Sequence, residues 1–475
     1  MSKILEVSEK KVLGVPVLFY ALLIFCAMIT SLIPLFGWKL FGVVLAAVIG
    51  MSVVVVAFSN YRIALMIFGA YGYLLFLIGD TLRLNLPMGV PFEIMIGIIF
   101  VAILVKNKYV DYQVEDNNPF TNAFGITLLL YLALDLILIV NSPMGSFLST
   151  IRSTLSLVMG YYCFYKAFKS KQFIKSFLTL ILALSFFAAL YGLRQEYYGL
   201  TDAEWQWLTS DPRRYELVYI WGHVRKWSFF SDVNACGLTM AFTGIFSIVL
   251  AFGPFKNINR IILVIIAICM LLTMSYSGTR TATAMVPLGL AFYFLLTIDK
   301  MRTLVISGAV ILIFGALMFG PFYGSTLNRI RSTFNSDDPS LNFREYKRRR
   351  LQGFVLSHPI GGGLGTANET AGRLSTTYDP DNGYLRTALD KGIPGLFLQL
   401  TLFFVFMILA TNAFYDMKNE RNKALTAAFM AALFAITVAQ FFQDAVEQKP
   451  INLLIFSGVA MVFRLKELDD KGENI

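Results

Sequence analysis

Three arginines in this chain sit where a polar segment meets a long apolar run: Arg225 in WGHVRKWSFFSDVNACG, Arg280 in the hairpin SYSGTRTA, and Arg344 at the head of FREYKRRRLQGFVLSHPIGGGLG. A guanidinium keeps its proton and presents a planar fork to phosphate oxygens, so arginines converging at a membrane surface suit a lipid-linked diphosphate. The competing role is mechanical: an interfacial arginine reaches to headgroups and anchors its span. Asp381, between Pro380 and Asn382–Gly383 in YDPDNGYLRTALDKGIPG, is a candidate proton acceptor. That turn composition holds a carboxylate at the lip of the next helix, as general base toward a sugar hydroxyl or as a simple Asx cap. Arg344, His358, Gly363, Asn382 and Tyr384 are candidate substrate contacts around it. The two histidines, His223 and His358, are proton acceptors by type. Gly361, Gly362, Gly363 and Gly365 either bring backbone amides close to an anion or make a flexible turn. Asp135 and Glu93 lie within apolar runs, where a carboxylate is costly in lipid, so they are expected to face a bundle interior, lining a groove or bonding to neighbouring helices.

Composition decides what must position these residues. Of 475 residues, 57% are hydrophobic and 15% charged, against about one-quarter charged in soluble domains. A soluble fold could not cover so much apolar surface. The net charge of +10 comes from short basic clusters between apolar runs, as the positive-inside rule arranges them, so the expected partner is a lipid bilayer and not nucleic acid. The cysteines Cys26, Cys163, Cys236 and Cys269 show no CxxC pairing, and neither metal ligation nor a disulfide framework is expected.

A helix needs about 20 apolar residues to cross a bilayer, and by that measure the chain holds about 12–14 spans. They begin with Val15–Ile33, Leu40–Phe58 and Ile63–Ile78 and close with Ile393–Ala410, Ala424–Phe441 and Ile451–Phe463; the weakest is Ser153–Tyr165, and Leu304–Gly320 precedes the longest polar stretch. Lys and Arg fall mainly in alternate short connections, which predicts an even number of spans with both termini cytoplasmic. The expected architecture is one all-α integral-membrane domain over residues 1–475, with outer loops at 194–234 and 321–392 and a short cytoplasmic tail at 465–475. No small-residue cleavage site follows the first apolar run, so that helix is expected to be retained.

Together, RKWSFFSDVNACG, SGTR, REYKRRRLQGFVLSHPIGGGLG and DNGYLRTALDKGIPG resemble the O-antigen ligase and O-antigen polymerase family of integral-membrane glycosyltransferases, over roughly Gly222–Gly395. The resemblance implies a GT-C-like helical fold in the bacterial inner membrane. It implies inverting transfer of a polyprenyl-diphosphate-linked glycan (O-antigen, capsule or exopolysaccharide) to a glycan or lipid acceptor on the periplasmic face, without nucleotide sugar, metal or other cofactor. On that basis Arg225 and Arg280 hold the diphosphate leaving group, with Arg344 as a third cation. Ligases of the family commonly carry a histidine where this chain has Asp381. Either Asp381 replaces it as base, or the base lies elsewhere, with His358 or Asp379 next in line. Two other classes compete. A transporter or flippase without bond-forming chemistry predicts inverted repeats, broken helices and intramembrane charges; a scaffold leaves the arginines without purpose.

Overall fold

The computed structural model describes residues 50–81, 89–109, 118–220, 222–299, 339–367, 380 and 382–472. The chain divides into two units, residues 1–64 and 65–475. In the first, helix α1 (Gly50–Ser59) ends at Asn60, whose side chain accepts the Arg62 amide at 3.1 Å and so starts α2 (Tyr61–Thr81).

The larger unit is an all-α bundle. After α2 come α3 (Gly89–Tyr109), α4 (Ala123–Ile137), α5 (Met144–Ala167) and α6 (Lys171–Tyr197), then two short helices, α7 (Asp202–Thr209) and α8 (Pro212–Val218), and a two-stranded hairpin of β1 (Tyr219–Ile220) and β2 (His223–Val224). The order continues with α9 (Val233–Ala251), α10 (Asn257–Ser277), α11 (Arg280–Leu296), α12 (Pro339–Ser357), α13 (Gly383–Asp416), α14 (Glu420–Ala439) and α15 (Ile451–Asp470). Among the described residues eight helices are long and apolar enough to cross a membrane: α2, α3, α4 with its 3-10 extension to Asn141, α6, α9, α10, α13 and α14.

The burial of these helices follows from their composition. Small residues line α9, and it is the most enclosed, packed against α10, α11 and α14. A Cβ on Gly237 would come within 2.6 Å of Ser277 Oγ, so glycine there lets the end of α10 lie directly on α9. By contrast α10 buries Leu263, Ala267, Met270 and Met274 on one face and leaves Ile261, Ile265, Ile268 and Leu272 exposed on the other, the pattern of a helix with one face toward lipid.

The segment expected as the weakest span, around Gly160, is a helix of 24 residues, about 36 Å of α-helix and so long enough to cross. Phe456 of α15 sits where a Gly160 side chain would begin, at 2.8 Å. The expected spans Val15–Ile33 and Leu304–Gly320 lie outside the described residues, and Leu40–Phe58 is described only from Gly50. The span expected from Ile393 begins where the second segment of α13 does, and a further helical segment from Gly383 precedes it. Asn382 caps that first segment by accepting the Leu385 amide at 3.0 Å. The helix then breaks at Gly392 (φ 68, ψ −166) and resumes. That left-handed conformation is open to glycine and disfavoured for a side chain, so the glycine separates two helical segments that run in different directions.

A polar crevice as the candidate functional site

Between α4, α5, α13, α15 and the 441–450 connection lies a crevice with about 770 Å³ of empty space, its open mouth included. Hydroxyls of Thr150, Ser153 and Thr387, the amides of Gln399, Gln440 and Asn452, and the charged Arg386, Asp390, Lys391, Asp444 and Glu447 line it. Sidedness of the helices puts them there. Thr150, Ser153, Thr154 and Ser156 fall on one flank of α5, and the first segment of α13 turns Arg386, Thr387, Asp390 and Lys391 inward.

A deeply buried ion pair closes one wall. Lys391 Nζ lies 2.8 Å from Asp135 Oδ1 and over the Tyr131 ring, 3.9 Å from its centroid, while Thr154 donates its hydroxyl to Asp135 Oδ2 at 2.6 Å. Asp135 is fully buried, as expected for a carboxylate inside an apolar run. Glu93, the other such acid, takes Arg152 at 3.3 Å and Lys449 at 3.4 Å.

Nearer the mouth Arg386 Nε stands 3.3 Å from Asp444. The 441–450 connection is pinned by Gln440, whose Oε1 accepts the Ala445 and Val446 amides at 2.7 and 3.0 Å and whose main-chain oxygen accepts the Gly383 amide at 2.9 Å. Glu447 stands at the exposed rim of the crevice. The protein around it, and then the Asp444 carboxylate, push its carboxyl up to about 7.

The glycine-rich loop is laid backbone on backbone against the α13 break. Gly362 and Gly363 donate their amides to the carbonyls of Leu389 and Asp390 at 2.8 and 3.1 Å, and Ile393 donates to Pro359 at 2.9 Å. Gly363 has φ +97, and a Cβ there would meet the Asn141 carbonyl oxygen at 2.4 Å. The Ala367 amide donates to Asp390 Oδ1 at 2.9 Å and the Leu364 amide to Ser142 Oγ at 2.7 Å. This loop therefore holds the crevice wall in place.

Arg225 packs at a second locus, where α9 and α10 join the start of α11. Buried Arg225 donates from Nε to Ser277 O at 2.8 Å, from Nη1 to Leu217 O at 3.1 Å and from Nη2 to Thr279 Oγ1 at 3.2 Å. Thr279 in turn donates to Val233 O at 2.9 Å and stands just before α11, which opens with the half-buried Arg280. Neither arginine lines the crevice.

Of the remaining candidates, Tyr384 donates its hydroxyl to Thr437 O at 2.7 Å. His358 is exposed, stacked on Phe354 with ring centroids 4.2 Å apart, its Nδ1 2.9 Å from Ser357 Oγ. His223 is exposed in β2. Arg344 belongs to α12, but its side chain falls outside the described atoms, and Asp381 and Asp379 lie outside the described residues. Among the described residues no group of three or more His, Cys, Asp or Glu is placed to hold a metal ion.

Sequence reasoning passed over Arg386, Lys391, Gln399, Asp444, Glu447 and Asn452. The usable signal was two acids and two glutamines in the ten-residue connection FFQDAVEQKP, an expensive composition between two apolar spans.

An O-Antigen ligase family domain is detected over residues 264–400. It runs from α10 into α13, taking in Arg280, Arg344, His358, Gly363, Asp381, Asn382 and Tyr384, while Arg225 and the 441–450 connection lie beyond it. No curated protein matches the chain.

Proposed function

We propose that this membrane protein transfers or polymerises a polyprenyl-diphosphate-linked glycan, with the crevice receiving sugar. The observation that carries the reading is the crevice itself. It is a hydroxyl-, amide- and carboxylate-lined space among membrane-spanning helices, with Gly383 at the start of α13 in its lining. Such a lining offers many donors and acceptors to a polyhydroxylated ligand and proton acceptors to an attacking hydroxyl.

In the proposed reaction Asp381 takes the proton of the acceptor hydroxyl, whose oxygen forms a bond to the anomeric carbon with inversion. The bond from that carbon to the diphosphate oxygen breaks, and polyprenyl diphosphate leaves with the electron pair. Arg280 neutralises the growing negative charge, aided by Arg344. Arg225 acts through the hairpin: its guanidinium is engaged by Ser277, Leu217 and Thr279, which makes it the residue that positions Arg280. The chemistry requires no metal or nucleotide sugar. A GT-C-like arrangement in a bacterial inner membrane, with both termini cytoplasmic and residues 194–234 and 321–392 on the periplasmic side, completes the proposal.

The broken helix α13 and the Lys391–Asp135 pair in the bundle interior also suit a carrier of the same lipid-linked substrate. Reconstitution with a polyprenyl-diphosphate-linked repeat unit separates the two. Longer lipid-linked chains identify a polymerase, and transfer to another lipid or glycan a ligase. Movement of the substrate across the membrane without a new glycosidic bond assigns the carrier.

A further inference from the structure

Two amide oxygens in the crevice lining find no donor among the described residues. Gln399 Oε1, on α13 beyond the Gly392 break, and Asn452 Oδ1, at the start of α15, accept no hydrogen bond. Both residues line the crevice, and they are 9% and 6% exposed. A buried carbonyl without a donor destabilises a fold, and an apolar residue of the same size would remove that penalty. Polar residues kept at such positions among membrane-spanning helices point to a ligand that brings the donor.

The surroundings decide which ligand. Charge in the ion-pair wall is balanced, because Lys391 is paired with Asp135 and Asp135 also takes the Thr154 hydroxyl. A diphosphate finds no uncompensated cation in that pair. What remains are two carbonyl acceptors, the nearby serine and threonine hydroxyls and the apolar face of Phe456, a set that fits an uncharged group with several O–H or N–H donors.

We propose that Gln399 and Asn452 form a subsite for a neutral, hydroxyl-bearing sugar residue of the glycan and set which sugar the crevice admits. The proposal rests on the reading of the crevice as a glycan site. A site that hydrogen-bonds a substrate hydroxyl rejects analogues lacking it far more strongly than an apolar pocket does, so these amides act as specificity determinants.

The test uses the full-length protein in lipid nanodiscs and two probes, the polyprenyl-diphosphate-linked repeat unit and polyprenyl diphosphate bearing no sugar. Gln399→Met and Asn452→Leu, made separately, are each expected to weaken binding of the sugar-bearing lipid by roughly tenfold. Affinity for the sugar-free lipid stays unchanged, and the thermal midpoint stays level or rises. Unchanged affinity for the sugar-bearing lipid, an equal loss for both probes, or a lowered thermal midpoint in both variants overturns the subsite. If the wild-type protein binds the sugar-bearing lipid no better than the sugar-free one, the glycan reading of the crevice fails, and the subsite falls with it.

Discussion

The junction of α9, α10 and α11 and the crevice beside α13 both bring charge into apolar surroundings, and they use it in opposite ways. At the junction Arg225 is held by main-chain oxygens and a threonine hydroxyl, so its charge ties the segment before α9 to the turn between α10 and α11. In the crevice the Lys391–Asp135 pair is sealed into a wall, but Arg386, Asp444, Glu447 and the two amides face open space. A guanidinium near a membrane boundary is thus no evidence by itself of a ligand site. What distinguishes the crevice is the two buried amide oxygens of Gln399 and Asn452, which find no donor among the described residues at a cost that function offsets.

The sharpest break of this contrast is Asp381→Asn, expected to lower kcat by about 10²–10⁴ with little change in KM, measured with the lipid-linked repeat unit. A normal rate moves the base role to another group, with His358 and Glu447 the described candidates. Next comes Lys391→Met, which strands the Asp135 carboxylate and should cost about 3–5 kcal/mol in unfolding experiments; adding Asp135→Leu should recover most of the loss. If the single variant unfolds like the wild type, the wall does not depend on the pair.

Arg280→Ala should reduce turnover about 10²–10³-fold while expression and thermal midpoint hold, and undiminished turnover removes it from the mechanism. Arg225→Lys keeps the charge but loses the fork, and a destabilisation of about 1.5–3 kcal/mol is expected. Lost turnover at full stability would instead put Arg225 on the substrate. The smallest effect concerns pH. The Glu447 carboxyl, raised to about 7 in the fold from an ordinary value near 4.5, makes the folded state bind more protons than the unfolded one between those values. Its contribution therefore falls as pH rises from about 4.5 through 7. Thermal midpoints across that range should decline less in Glu447→Gln than in the wild type, and parallel curves would show that Glu447 does not titrate there.

Much of the bundle is readable from hydropathy: the apolar runs Ile63–Ile78 and Phe177–Leu193 fall inside helices α2 and α6, Ala123–Val140 follows α4 and its 3-10 extension, and Met88–Val105 follows α3 from Gly89 on. The reading weakens where helices build the crevice. Helix α5 falls below span-like apolarity since Thr150, Ser153, Thr154 and Ser156 face polar space, and α15 carries Asn452 at one end and Arg464 and Glu467 at the other. A window average counts those residues against a span, although their partners inside the bundle satisfy or use them. The interruption at KGIPG was legible as such, since Gly392 separates the span that starts at Ile393 from the shorter helical segment before it.

The sequence by itself determined that the chain forms apolar helices and that carboxylates within them must turn inward, because both follow from local composition and the cost of exposing charge to lipid. It could not tell which polar groups meet. Lys391 and Asp135 stand 256 positions apart, and their contact, like the facing of Gln399 and Asn452 into one space, depends on helix rotation and packing across the whole bundle. Those are set by side-chain fit between distant segments, such as Phe456 against Gly160, and no periodicity along the chain records them.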